Sequence, residues 1–267
     1  MAENQPANTK TYYNIFDSHA HYDDNAFKKD REQLLSETLP QKGVCGIVNM
    51  GSSLKSCYQT VELTEKYDYI HGAVGIHPEC AKDLPNDWLD TLQTLLKHEK
   101  IVAVGEIGLD YHWLDSCPKD QQHAAFTAQL ELAEKLQLPV VLHDRDAHGD
   151  MMDYIRKYRP NAVLHCFSGS VEMAKELVKL GIYIGMGGVV TFKNARHAVE
   201  TIQEIPLELL LLETDAPYLA PVPFRGKIND SSLISHVAER IAEIRGITAK
   251  EILEITAENA RRFFRIS

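Results

Sequence analysis

The sequence predicts a single-domain (β/α)₈ TIM barrel of the α/β class, with extra helices at its C-terminal end. Three features lead there: eight short apolar segments recur along 267 residues, stretches with helical spacing separate them, and no linker-like region divides the chain. Barrels of this kind reach such a length as one domain.

The segments are, in order, YNIFDSHAH at 13–21, GVCGIVNMG at 43–51, IHGAVGIH at 70–77, IVAVGEIGLD at 101–110, LPVVLHDR at 138–145, AVLHCFSG at 162–169, YIGMGGVV at 183–190 and LLLLETDAP at 209–217. Most are near-continuous runs of Val, Ile and Leu, as parallel strands covered on both faces must be. Phe126, Leu130, Ala133 and Leu136 fall on one helical face, as do Met173, Leu177 and Leu180, with Gly181 placed to end that second helix. Two more helical stretches, around 232–245 and 248–265, close the chain. An open doubly wound sheet is the alternative. It calls for a Gly-rich phosphate loop after the first strand, where this chain has His19-Ala20-His21. The barrel is read as 12–267, and the polar residues 1–11 as a disordered tail.

Lys and Arg number 28 against 38 Asp and Glu, a net charge of −10. Gripping a long nucleic acid by its backbone needs a basic face, so a nucleic-acid substrate would be met at an end or short segment, in a local pocket. No apolar run approaches the ~20 residues that cross a membrane, and MAENQPANTK lacks the apolar centre of a secretory signal. The five cysteines, Cys45, Cys57, Cys80, Cys117 and Cys166, are odd in number and show no CxxC spacing. Neither a disulfide framework nor a thiolate zinc site is expected, and the cytoplasm is the predicted compartment. Cys166 is read as packed on the strand face opposite His165. No membrane association and no obligate protein partner are inferred.

In such a barrel, chemistry gathers at the C-terminal ends of the strands. Strand one ends in His19-Ala20-His21, whose imidazoles share a face, with Asp17 below them. Strand four ends at Glu106, strand five at His143, strand six carries His165, and strand eight ends with Glu213 and Asp215. Any one of these is an ordinary hydrogen-bonded strand end or helix cap. Together they would leave several buried polar groups unpaired in an apolar mouth, at ~1–3 kcal/mol each, and a divalent cation removes that cost. Nitrogen and oxygen ligands suit hard or borderline divalent ions. His77 ends strand three ahead of Pro78, and two roles stay open for it: proton donor or substrate contact, and purely structural residue. His98, His197 and His236 read as solvated helix residues and His71 lies at the wrong strand end, while His112, His123 and His148 stay ambiguous.

The motifs FDSHAH, GIHPE, GEIGLDYHW, LPVVLHDRDAHGD, HCFSGS, YIGMGGVVTFKNA and ETDAPYLAPVPFRGK, in this order, resemble the TatD family of metal-dependent deoxyribonucleases within the amidohydrolase-like barrels. The resemblance covers nearly all of the chain after the tail. It implies two divalent metal ions (Mg²⁺, Zn²⁺ or Mn²⁺): one held by His19, His21, Glu106 and Asp215, the other by Glu106, His143 and His165, with Glu106 bridging. One departure is visible. Where the family runs close to GKRNEP, this chain reads Gly226-Lys227-Ile228-Asn229-Asp230-Ser231. If that loop overhangs the site, the change bears on substrate affinity.

The implied activity is removal of nucleotides from the 3′ end of short or single-stranded DNA. Asp215 would orient a metal-activated water and take its proton. Arg145, Arg225 and Lys227 on rim loops would bind phosphate, and Asp17 and Glu213 would orient ligands from behind. Glycines 185, 187 and 188 would leave space beside the metals or serve barrel packing. The same centre serves other chemistries, namely amide, lactone, phosphotriester or aminoacyl-tRNA ester hydrolysis. A non-catalytic, metal-binding interaction protein is the remaining alternative.

Overall fold

Eight parallel strands run in chain order around a barrel in this computed structural model, which describes residues 12–267. They are β1 (Ile15–Ala20), β2 (Val44–Met50), β3 (Ile70–Val74), β4 (Ile101–Asp110), β5 (Val140–Arg145), β6 (Ala162–Leu164), β7 (Tyr183–Met186) and β8 (Leu210–Leu212). Each pairs in parallel with the next. The circle closes at the strand tips, where Ala20 bridges Ala216, Asp215 N–H donates to the His19 carbonyl at 2.9 Å and His21 N–H to the Ala216 carbonyl at 2.8 Å. The seam is therefore made by residues that flank the predicted ligands. The fold is the predicted (β/α)₈ barrel. The proposed tail at 1–11 lies outside the described residues.

A helical stretch follows every strand: α1 (31–41, α-helical at both ends of a π-helical turn), α2 (Leu54–Lys66), α3 (Trp88–Leu95), α4 (Lys119–Leu136), α5 (His148–Tyr158), α6 (Val171–Lys179), α7 (Arg196–Glu204) and α8 (Ile234–Arg245). An additional helix, α9 (Ala249–Phe264), ends the fold. Local sequence explains several boundaries. Ser53 and Ser170 cap α2 and α6 by accepting a backbone N–H, and Thr248 with Glu251 forms a reciprocal capping box on α9. Gly181, at φ 79°, stops the chain just past α6. On α4, Phe126, Leu130 and Ala133 are buried against the strands and Leu136 half-buried, as its spacing predicts.

The barrel interior divides by chemistry. Towards the N-terminal end it is filled by apolar side chains such as Phe16, Val48, Val141 and Val163, and α9 supplies Phe263 and Phe264 to the same cluster. The burial of these rings contributes ~1.5–3 kcal/mol each. The opposite end is polar.

Three features differ from the sequence reading. Strands β6 and β8 are only three residues long, because the chain bends beyond Leu164 and Leu212, with Cys166 and Asp215 in the left-handed region at φ 44° and 57°. Cys166 therefore does not sit on a strand facing away from His165. It is only half-buried, and the carboxylates of Asp215, Glu213 and Glu106 lie near enough to push its thiol pKa up beyond the effect of burial. Strand β4 continues past Glu106 to Asp110. His98 lies in the turn after α3 and not in the helix.

Candidate metal centre

Five imidazoles and two carboxylates converge at the C-terminal mouth. His19 Nε2 and His21 Nε2 face each other at 3.1 Å. Glu106 Oε2 lies 3.5 Å from the first and 3.6 Å from the second, and Asp215 Oδ1 lies at 3.6 and 3.4 Å. Ligands bonded at ~2.1 Å to a tetrahedral ion sit ~3.4 Å from one another, so these four atoms mark the corners of a cation-sized space. The other oxygen of Glu106, Oε1, is 2.8 Å from His143 Nδ1 and 2.7 Å from His165 Nε2, which are themselves 3.1 Å apart. One carboxylate thus faces two pairs of imidazoles. The donor set fits a divalent metal, because two imidazole nitrogens and two carboxylate oxygens, one from Glu106 and one from Asp215, converge on one small space at 3.1–3.6 Å.

Burial and backbone hydrogen bonds fix this geometry. His19 and Glu106 are fully buried, and His165 nearly so. His21 Nδ1 is held by the Met50 carbonyl at 3.1 Å, which leaves Nε2 for the centre. Glu106 N–H donates to the Gly51 carbonyl at 3.0 Å, tying β4 to the tip of β2.

Asp110 is a site residue that the sequence reading passed over. Its Oδ2 accepts from His143 Nε2 at 3.0 Å, while Oδ1 accepts the backbone N–H groups of His112 and Trp113. A proton fixed on Nε2 leaves Nδ1 of His143 as the metal-facing nitrogen. The signal was present, since Asp110 lies four residues beyond Glu106 on the same strand, an even spacing. Asp110→Asn retains an oxygen for the two amides but removes the acceptor charge from His143. Metal titration should show one of two binding events weakened about 10–100-fold, and an unchanged isotherm would remove Asp110 from the centre.

His77 completes the cluster from the turn beyond β3, which ends at Val74 and not at His77 as the sequence reading had it. Its Nδ1 accepts from Glu79 N–H at 3.2 Å, so Nε2 carries the proton and points at Glu106 Oε1, 3.7 Å away. Its ring packs edge-on against His143 at 4.3 Å.

Burial depresses His77 to about 3 and His19 to about 4, helped in each case by a neighbouring imidazole. For His21 and His143 burial works in the same direction but loses to carboxylates. Hydrogen bonding to Asp215 raises His21 to about 9, and bonding to Asp110 and Glu106 raises His143 to about 10. Burial would raise Glu106, yet the surrounding imidazoles hold it well below the usual carboxylate range. Protons and a cation compete for the same lone pairs.

Behind the centre, Glu213 accepts Cys166 N–H and lies 3.8 Å from His165 Nδ1; burial pushes it up to about 8. A Cβ on Gly185 would sit 2.4 Å from the Glu213 carboxylate, so that glycine clears room for Glu213. Asp17 binds neither imidazole. It accepts from His19 N–H (3.2 Å), Thr214 N–H (3.0 Å) and the hydroxyls of Thr214 (2.6 Å) and Ser231 (2.7 Å). The register shift between Asp17 and Ala20 breaks the alternation that placed it under the histidines.

The sequence profile described as TatD related DNase matches residues 16–265. This chain belongs to the TatD family. Among relatives, the "Uncharacterized metal-dependent hydrolase YabD" of Bacillus subtilis is 43% identical over 256 residues, covering 95% of this chain and 100% of that protein. The "3'-5' ssDNA/RNA exonuclease TatD" of Pectobacterium parmentieri is 35% identical over 264 residues, covering 95% and 100%. Among solved structures, the TatD homologue YjjV from Escherichia coli superposes with a TM-score of 0.89 at 32% identity, covering 95% of this chain and 99% of that one. The chain is a metal-dependent hydrolase of this family.

The three cations predicted to bind phosphate are all exposed. Arg145 is exposed at the end of β5, with its guanidinium 5.8 Å from the Trp113 ring. Arg225 stacks on Phe192 at 3.6 Å, and Lys227 stands exposed nearby. Two of the three departures from the family's GKRNEP run, Asp230 and Ser231, bond inward. Asp230 caps a short helix through Ser232 N–H, and Ser231 donates to buried Asp17 while taking the Tyr22 hydroxyl at 2.7 Å. Asn229 binds the carbonyls of Thr214 and Tyr218. Of the three departures only Ile228, 57% exposed, faces outward. His112 and His148 pair with Asp146 and Asp144, and His123 bonds Tyr111 and Tyr154.

Proposed function

We propose that this protein is a 3′–5′ exonuclease that hydrolyses phosphodiester bonds at the ends of single-stranded DNA, with RNA as a second polymer. The observation that carries the reading is Glu106, whose two oxygens each address a separate pair of imidazoles at 2.7–3.6 Å. His19, His21, Glu106 and Asp215 would hold one divalent ion (Mg²⁺, Zn²⁺ or Mn²⁺), and Glu106, His143 and His165 a second. When bound, the ions supply Lewis-acid polarisation of the phosphoryl group and make water acidic enough to react near neutrality. Asp215 would take the proton of the attacking water as the water oxygen adds to phosphorus in line. The bond from phosphorus to the leaving 3′ oxygen breaks, and that oxygen takes a proton from solvent while Asp215 returns its own to solvent. His77, neutral and protonated on Nε2, donates a hydrogen bond to a phosphoryl oxygen. Arg145, Arg225 and Lys227 pair with phosphates further along the strand.

The net charge of −10 supports attack at chain ends over wrapping of a duplex. The name borne by the 35%-identical Pectobacterium relative supports the choice of polymer and polarity. No helix among the described residues is long and apolar enough to cross a membrane. The five cysteines carry free thiols, which agrees with a cytoplasmic setting.

The test is a panel of end-labelled single-stranded DNA, RNA, a lactone, a cyclic amide and a phosphotriester, each with and without chelator. Stepwise loss of 3′ nucleotides, abolished by EDTA and restored by a divalent ion, is expected. Turnover of the amide or lactone with intact oligonucleotides would overturn the nuclease reading.

A further inference from the structure

Among the described residues, every large apolar side chain that stands exposed, apart from Tyr13 and Tyr58, lies in the loops after β4 and β8. Large apolar groups gathered on one face mark a binding surface. Two of them are flat rings fixed to the metal centre by their own backbone. Trp113, 46% exposed, donates its N–H to Asp110 Oδ1, the carboxylate whose other oxygen holds His143. Tyr218, 54% exposed, donates its N–H to the carbonyl of Asp215 at 2.8 Å, and its hydroxyl to Asp24 at 3.2 Å. Each ring stands three residues beyond a site aspartate, one on the β4 side of the mouth and one on the β8 side. A guanidinium, that of Arg145, lies beside Trp113, and Arg225 in the loop after β8 stacks on Phe192.

We infer that Trp113 and Tyr218 are stacking platforms for the unpaired bases that flank the scissile phosphodiester. The inference rests on the nuclease reading and adds how the strand is gripped. A chain with net charge −10 gains little from counterion release. Affinity beyond the few phosphate pairs at the rim must come from contacts that do not depend on backbone charge, and exposed rings provide them to any base, because every base has a π face. A base inside a duplex presents no free face, so the platforms select single strands. Ile228, exposed where the family pattern carries arginine, shifts the same loop further from charge and towards apolar contact.

The test compares metal-loaded wild type with Trp113→Ala, Trp113→Phe and Tyr218→Ala on oligothymidylate and on an oligonucleotide of equal length whose last residues are abasic. Wild type should show a KM about ten-fold higher on the abasic strand. Each alanine variant should raise KM about ten-fold on oligothymidylate, leave the abasic strand nearly unaffected and change kcat little; Trp113→Phe should restore most of the loss. Trp88 and Trp113 are the two tryptophans, and Trp88 is partly buried in the core. The difference in emission between wild type and Trp113→Phe therefore reports Trp113, which should be quenched by phosphorothioate oligothymidylate. Equal cleavage of both strands by all four proteins, without quenching, overturns the platforms and leaves the nuclease reading standing. Quenching without cleavage supports the platforms and overturns that reading instead. A KM loss of equal size on both strands would mark the alanine effects as structural and refute the stacking role.

Discussion

Asp215→Asn is expected to fold normally and to lose about a thousand-fold in turnover on single-stranded oligonucleotides. The backbone at 215 sits at φ 57°, a conformation that Asn tolerates as well as Asp does. The anchoring bond from its N–H to the His19 carbonyl involves no side-chain atom. What changes is the charge at Oδ1, which lies 3.4 Å from His21 Nε2 and 3.6 Å from His19 Nε2. An amide at that point neither accepts a proton from water nor supplies an anionic ligand. Circular dichroism and thermal melting should match wild type while kcat falls. Turnover close to wild type would take Asp215 out of the reaction.

Glu106→Gln should have the largest effect on metal content. Both oxygens of Glu106 are in use, one facing His19 and His21, the other His143 and His165. Glutamine offers one oxygen and one NH₂ group, and the NH₂ must point its hydrogens at one of the two imidazole pairs. That half loses its anionic ligand and meets a donor instead. After exhaustive dialysis, elemental analysis should find about two divalent ions per wild-type chain and at most about one in the variant. Activity should fall by more than about a thousand-fold. Two ions and full activity in the variant would refute the bridging role.

Much of the fold was legible because strand burial on both faces and helical spacing leave strong, local signatures. His19, His21, Glu106, His143, His165 and Asp215 were found by asking which polar residues end apolar segments, and the structure gathers all six at one mouth. That logic failed where alternation failed. Asp17 was placed beneath the histidines by counting in twos, but the register shift between Asp17 and Ala20 turns its carboxylate to Thr214 and Ser231. Cys166 was assigned to a strand face, yet β6 had already ended at Leu164. Asp110 went unnoticed because strand four was taken to deliver its chemistry at Glu106, four residues short of its end. The loop 226–231 looked like a substrate contact in sequence, and two of its three departures, Asp230 and Ser231, turn out to bond inward.

The chain's own order of residues determined the barrel, its helices and the identity of the polar groups at its mouth, since burial patterns and side-chain chemistry are properties of short segments. Tertiary structure alone decided which nitrogen of each imidazole faces the centre, that Glu106 stands between two pairs of them, and that Asp110 links His143 to the Trp113 loop. Those facts depend on bends and register shifts at strand ends, where hydrogen bonds between residues far apart in sequence override local periodicity.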